Sequence, residues 1–372
     1  MGALRGVRIA DFSRVLAGPY ATMLLGDMGA HIIKIERPGI GDDTRSWGPP
    51  YDDEGRATYF QSINRNKEGV TADLSTAVGR AKALTIISES DVLVENFGVG
   101  VMEKFGLGYE QIREEFPSLI YCSITGFGSS EEGKKLPGYD LLVQAMSGLM
   151  SITGPDSDHP TKVGVALVDV IAGLHTALGV TGALVSRAEN GHGQKVEINL
   201  LSSILSGMVN QSGAFAGAGV IPKSMGNAHP SISPYEAYQT KDKQIVIAVG
   251  NDGQFAKLCG VLGAPFASNP KFATNSDRVK NRVELGEVMT LILVTKDADE
   301  WVATLKKVGV PAGPINNIEQ GVAMAESLGL KPIITIKDSR DGSTSKTIAN
   351  PITFSETPVS YRYGPPSLGM DD

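Results

Sequence analysis

VRIADFSRVLAGPYATMLLGDMGAHIIKI, residues 7–35, decides the fold class. Val7 to Phe12 is a short apolar run that reads as a buried strand. Ala17 to Ala30 carries apolar residues at helical spacing, is entered through Gly18-Pro19 and ends near Gly29. His31 to Ile35 follows at once as a second strand. Strand, helix and strand in that order form a β-α-β unit, which predicts a parallel sheet with right-handed crossovers. The first turn reads SRVLAGP where a dinucleotide site would need G-x-G-x-x-G, so the expectation is a Rossmann-like fold without nicotinamide.

Working outward, residues 67–73, Asp91 to Glu95, Leu119 to Ile124 and Gln194 to Leu200 read as further strands. Ser75 to Ser88, Leu141 to Met150 and Ser202 to Ala216 read as helices. From about Gly219 the texture changes. GNAHPSISP, residues 226–234, is rich in turn residues, and residues 235–250 alternate as a hairpin around Lys241 to Lys243. Helical segments run from there through Lys307, and VGVPAGPINN, residues 308–317, reads as a loop. The expected architecture is α/β: a large Rossmann-like domain with a parallel sheet over residues 1–225, a smaller α+β domain over 226–325, and a segment 326–372 that returns to the large domain. The closing SLGMDD reads as an ending cut or disordered before a helix.

The chain has 372 residues, a net charge of -7, 41% hydrophobic and 20% charged residues. Those values fit a globular protein with a sizeable core and argue against a nucleic-acid binder. Cys122 and Cys259 are the two cysteines and form no CxxC pattern, so neither a disulfide framework nor a metal site is expected. No leader is read at MGALRGVRIADFSRV, and no apolar run spans a membrane without interruption by Gly or polar residues. A reducing, cytoplasmic compartment is the expectation.

Val163 to Leu184 is almost uncharged and contains one acid, Asp169. A buried carboxylate needs a partner, a raised pKa or a task. Asp169 is therefore a helix N-cap, a satisfied core acid, or a reacting group shown at a helix start. Two loops carry a similar choice. ERPGIGDDTRSWGPP, residues 36–50, is a solvated linker or a ligand loop at a strand's carboxyl end. Asn96-Phe97-Gly98 is a strand-ending turn or a ligand contact.

The succession DFSRVLAGPYAT, IIKIERPGIGDDTRSWGP, NRNK, VENFGVGVMEKFGLGYEQI, YCSITGFG, PGYDLLVQAMSGLMSITG and VALVDVIAG resembles the class III CoA-transferase family, which includes formyl-CoA and carnitine CoA-transferases. The likeness covers nearly the whole chain in order. DDTRSWGPP, LLSS, GNAHPSISPYEAY, GNDGQFAKLCGVL and GVPAGPINN are most similar to the succinyl-CoA:glutarate subgroup.

The resemblance implies that Asp169 is the nucleophile, forming an acyl anhydride and then an aspartyl-CoA thioester, with coenzyme A thioester as co-substrate and no metal or redox cofactor. It implies CoA contacts from Val15, Arg37, Ala72, Ser75, Asn96, Phe97, Gly98, Lys104 and Tyr139, with Arg37 and Lys104 serving phosphates and Phe97 near adenine. Acid-binding roles are expected for Leu16, Trp47, Arg65, Asp140, Gly226 and His229, because a dicarboxylate's far carboxylate needs a cation and Trp47 can close the pocket as an apolar lid. Arg65 is the leading cation for a dicarboxylate's far end, with Arg14 and Arg45 behind it. Gly226 to Ile232 matches the family's mobile loop. Leu16 stands where formyl-CoA transferases carry Gln, which argues against oxalate as acceptor, and Pro137 stands where they carry Lys. Acyl-CoA racemases share the fold, but their His falls at Tyr139 here; a non-catalytic CoA-binding protein would be expected to lack the nucleophile. The family also implies an interlocked homodimer.

Overall fold

A computed structural model of the protein describes residues 2–372. Contacts divide these into two units, 2–149 with 162–221 and 331–372, and 150–161 with 222–330. Residues 150–161, read from sequence as part of the large domain, thus group with the second unit.

The first unit is built on a six-stranded sheet in the order β3-β2-β1-β4-β5-β6, all parallel. Its strands are β1 (Arg8–Asp11), β2 (His31–Glu36), β3 (Lys67–Thr71), β4 (Val92–Glu95), β5 (Ile120–Thr125) and β6 (Lys195–Asn199). Ile9 lies opposite both Ile32 and Val92, and all three are fully buried. That is the continuous apolar signature of a parallel sheet covered on both faces. The helices are α1 (Ala17–Asp27), α2 (Thr58–Ile63), α3 (Ala77–Ser88), α4 (Val101–Lys104), α5 (Tyr109–Ile112), α6 (Asp140–Met146), α7 (Leu167–Asn190), α8 (Leu200–Gly207) and α9 (Asn210–Ala218). The helix expected over 202–216 is two, broken at Val209, whose φ of 39° no helix accommodates.

At 24 residues, α7 is long and apolar enough to cross a membrane, which the sequence reading did not expect of any run. Here it packs against α1, α6, α8, β5 and β6 and buries Val168, Ala172, Val180 and Ala183, as a core helix does.

The sheet order reverses between β1 and β4, so a crevice opens where the loops after their carboxyl ends part. Ligands of open α/β sheets bind at that switch point.

The second unit has an antiparallel sheet of β7 (Tyr235–Gln239), β8 (Gln244–Ala248) and β9 (Ala312–Pro314), the last within the expected 308–317 loop. Helices α10 (Asp252–Leu262), α11 (Asn275–Lys280), α12 (Arg282–Leu293), α13 (Ala298–Lys307) and α14 (Ile318–Ser327) accompany it. Its own core is built on Ile245, Ile247, Phe255, Leu258, Leu285, Met289 and Trp301.

The tail makes the antiparallel hairpin β10 (Ile333–Lys337) and β11 (Thr344–Ile348). Its last residues are not disordered but hydrogen-bonded to β3: the Asp371 carboxylate accepts from Gly69 N at 2.8 Å and that of Asp372 from Thr71 N at 2.7 Å.

Arg65 belongs to this scaffold and not to a substrate site. It is 2% exposed, and its Nη2 lies 2.6 Å from Asp27 Oδ2 while Nη1 donates to the Ile348 carbonyl at 3.0 Å. Its single charge is already matched by Asp27 inside the protein. Removing one partner of a buried ion pair costs about 3–5 kcal/mol. Arg65→Ala is therefore expected to lower the melting temperature sharply and reduce turnover by one common factor for all acceptor acids. An unchanged melt with loss confined to dicarboxylates would return Arg65 to the acceptor site.

Candidate active site

The loops after β1, β4 and β5 meet around a cavity of about 590 Å³, bordered also by Asp43, Ser46 and Trp47 and by Tyr139, Asp140 and Asp169. Arg14, Asp43 and Phe97 are shared with an adjoining cavity of about 350 Å³, whose further lining includes Arg37, Ala72 and Ser75. Together the two make a site with a polar waist. Arg14 stands at that waist, its guanidinium 5.0 Å from the Phe97 ring centroid and 3.6 Å from Asp43.

Two backbone approaches shape the reacting end. A Cβ on Gly126 would come within 2.4 Å of Gly138 Cα, so only a glycine pair lets the β5 turn lie against the loop that delivers Tyr139 and Asp140. A Cβ on Gly173, one turn beyond Asp169, would sit 2.7 Å from the Ala17 carbonyl. The bare glycine brings the start of α1 against α7. Ala17 and Gly18 open α1 without a side-chain cap, and as first-turn residues their N–H groups have no intrahelical acceptor, beside a cavity that Leu16 and Ala17 line.

Asp169 is the third residue of α7, and the helix has no side-chain cap of its own. The N-cap reading is thus corrected, because the cap comes from another element. Asp140 Oδ1 accepts from Val168 N at 2.9 Å and Asp169 N at 3.2 Å. Gln144, a turn further along α6, donates to Asp140 Oδ2 at 2.6 Å and accepts from Val163 N at 2.9 Å. Two carboxylates therefore sit at one helix start. Burial, and then the Asp140 charge, push the Asp169 carboxyl up to about 7. These two effects outweigh the preference of a helix start for an anion.

Among the described residues, no cluster of three or more His, Cys, Asp or Glu could hold a metal ion. A buried carboxylate poised near neutrality in a cavity with backbone donors is equipped for nucleophilic acyl chemistry.

A family model described as CoA-transferase family III matches residues 4–372. The chain belongs to CoA-transferase family III. It is 40% identical, over 98% of its length and 93% of the relative's, to a succinate–glutarate CoA-transferase of Agrobacterium fabrum. It is 37% identical to a succinyl-CoA:mesaconate CoA-transferase of Haloarcula hispanica, covering 96% of this chain and 91% of that one. The crystal structure of a CAIB/BAIF family protein from Brucella suis matches with a TM-score of 0.87 at 39% identity, over 99% and 97% of the two chains. The protein is therefore a CoA-transferase.

The expected residues of this CoA-transferase fall into three groups. Asp169, Asp140, Tyr139, Trp47, Leu16, Val15, Asn96, Phe97 and Gly98 line the larger cavity, while Arg37, Ala72 and Ser75 line the smaller. Lys104 is exposed at the end of α4 and lines neither, so no phosphate contact follows from its position. Arg45 is taken by Glu36, its Nη2 2.6 Å from Oε1. Gly226 and His229 lie in the second unit, where Gly226 N donates to the Gly154 carbonyl and Arg282 Nη1 to that of His229.

Sequence reasoning missed Tyr59 and Gln144. Burial, and then Asp169 and Asp140, push the Tyr59 hydroxyl up to about 12, which places this ring near both acids. It packs edge-on against Trp47 with centroids 5.5 Å apart. Nothing in TYFQS, residues 58–62, signals this, whereas the spacing Asp140–Gln144 is a legible one-turn pair.

The folded state holds the Asp169 proton more tightly than the unfolded chain, whose pKa stays near 3.8. Its contribution to stability is complete below that value and is lost as pH rises through about 7. Asp169→Asn, which cannot ionise, is expected to melt above the parent at pH 8, with the gap narrowing at pH 5. Equal gaps in calorimetry would contradict the raised pKa.

Proposed function

We propose that this enzyme moves CoA from succinyl-CoA to a short dicarboxylate such as glutarate, through covalent intermediates on Asp169. The observation that carries the mechanism is the buried carboxyl of Asp169, raised to about 7, beside Asp140 in the larger cavity. The dicarboxylate pair is supported by the printed activities of the Agrobacterium and Haloarcula relatives.

The chemistry balances without an added reagent. The Asp169 carboxylate attacks the thioester carbonyl, the C–S bond breaks, and CoA leaves as thiolate from a mixed anhydride. The thiolate then attacks the Asp169 carbonyl carbon, forming the aspartyl thioester and releasing the first acid as carboxylate. An acceptor carboxylate attacks that thioester and regenerates an anhydride with thiolate. Thiolate attack on the acceptor's carbonyl then yields the new acyl-CoA and restores Asp169. Each attack develops an oxyanion, for which backbone N–H groups at the start of α1 are the candidate donors, worth about 3–4 kcal/mol each where well aimed.

CoA would extend from the Arg37, Ala72 and Ser75 cavity past Phe97 to Asp169, with Arg37 meeting phosphate. With Arg65 and Arg45 engaged elsewhere, Arg14 is the guanidinium for the acceptor's far carboxylate. Its ion pair with Asp43 is long at 3.6 Å, which leaves donors for a substrate acid. A homodimer is supported by apolar residues open on the first unit, among them Leu178, Val185, Val209 and Phe215.

Mass analysis of acyl-CoA products from succinyl-CoA and a panel of carboxylic acids tests the reading. Asp169→Ala is expected to bind CoA and transfer no acyl group. Arg14→Gln is expected to raise KM for dicarboxylates about tenfold or more over that for monocarboxylates of equal length. Transfer by Asp169→Ala, or equal KM changes for both acid classes, would contradict the respective assignment.

A further inference from the structure

Beneath the cavity, at the carboxyl ends of β1 and β2, lies a group of charges the proposed chemistry does not touch. Lys34 and Asp42 have fully buried side chains, with Lys34 Nζ 2.9 Å from Asp42 Oδ2. Lys34 also donates to the Ser13 carbonyl at 2.9 Å. The other Asp42 oxygen, Oδ1, accepts from Thr44 N at 3.0 Å, Thr44 Oγ1 at 2.8 Å and Val15 N at 3.2 Å. Asp42 N is held by Glu36 Oε2 at 2.8 Å. Each partner of the Asp42 carboxylate is a donor, so the site demands acceptors on both oxygens.

What this pair grips is strained. Val15 has φ of 67°, in the left-handed region, where a β-branched residue is an outlier. Such strain persists only where surrounding contacts over-determine it. Here they do. Ser13 N and its hydroxyl donate to Asp11, and Arg14 N and O exchange hydrogen bonds of 2.8 and 2.7 Å with the Asn96 side chain. The Ser13 carbonyl and Val15 N–H go to the ion pair. The backbone polar groups named here, from Ser13 to the Val15 amide, are all claimed by side chains. The residues that follow are Leu16 and Ala17, which share the cavity with Asp169.

We propose that Lys34 and Asp42 are positioning residues, a buried ion pair that holds Val15 in its left-handed conformation and thereby fixes the Val15–Ala17 edge of the cavity relative to Asp169. This rests on reading that cavity as the acyl-transfer site. Burial opposes ionisation of both groups, yet Asp42 is lowered to about 2 by Lys34 and Thr44, and Lys34 is raised by Asp42 and Asp11. The pair stays charged across the working pH range. It therefore acts as a fixed clamp and not as a proton donor.

Asp42→Asn keeps the shape but offers Lys34 and Val15 only one oxygen between them. Turnover is expected to fall about tenfold in kcat, with KM for acyl-CoA little changed. In a Val15→Gly background the same substitution is expected to cost about threefold or less, since glycine adopts φ of 67° without strain. Lys34→Met with Asp42→Leu guards against misfolding, because apolar replacement of a buried ion pair is often neutral for stability. It is expected to melt below the parent only by what the freed Ser13 carbonyl and the Val15 and Thr44 amides cost, to lose kcat alike, and to show the same relief by Val15→Gly. Equal losses in the Val15 and Val15→Gly backgrounds, or kcat that returns with the melting temperature, would overturn the proposal. Asp169→Ala, assayed alongside, separates the claims: transfer there rejects the site reading and this inference with it, whereas an inactive Asp169→Ala with equal losses rejects the positioning role alone.

Discussion

A helix start needs an acceptor, and α7 takes its acceptor from a carboxylate on α6. That single arrangement does two jobs. It satisfies the amides of Val168 and Asp169, and it puts a second negative charge beside Asp169 in a buried place. A helix N-terminus by itself favours an anion. Desolvation and the Asp140 charge oppose it and prevail, so Asp169 sits near neutrality. For the nucleophilic role proposed for it this is useful: a carboxylate with a pKa near 7 is more basic than an ordinary aspartate, yet still ionised in a large fraction of molecules at neutral pH. Removing Asp140 would loosen the turn and lower the pKa together, so the two effects are not separable by one substitution at that position.

The remainder of the first unit serves to bring unlike loops to that helix start. A parallel sheet whose order reverses at β1 and β4 opens its crevice there. Glycines at 126, 138 and 173 permit backbone contacts that any side chain would block. The buried charges at Asp11, Lys34, Asp42 and Lys67 do not lend themselves to an explanation from stability alone, since buried ion pairs rarely exceed well-packed apolar residues in that respect. Their value lies in geometry. Charged groups tie the 13–15 turn at Ser13 and Val15, where an apolar core would leave the backbone unsatisfied and free to relax.

The β-α-β units, the parallel sheet and the smaller antiparallel unit were legible from apolar runs and turn residues, because those patterns follow from which faces are buried. The break at Val209 and the short strand β9 were not, since each depends on tertiary contact and not on local spacing. Asp169, the one acid of an apolar run, and the loops read as its neighbours border one cavity. Its partners were less legible. Arg65 looked like a substrate cation because NRNK carries no sign of Asp27, 38 positions earlier, which claims it. Asp140 was noticed as a supporting acid, but its role as the cap of α7 requires two helices to meet. Tyr59 and the Lys34–Asp42 pair are visible only once the chain is folded.

The proposed chemistry requires Asp169 to become covalently attached to CoA during turnover. Intact-protein and peptide mass spectrometry after mixing the enzyme with succinyl-CoA, acceptor withheld, measures this directly. An adduct of CoA less one water is expected, mapped to the peptide holding Asp169, discharged by adding acceptor acid and missing in Asp169→Ala. An adduct on another residue, or full turnover with no acyl or CoA adduct on Asp169, would contradict that chemistry.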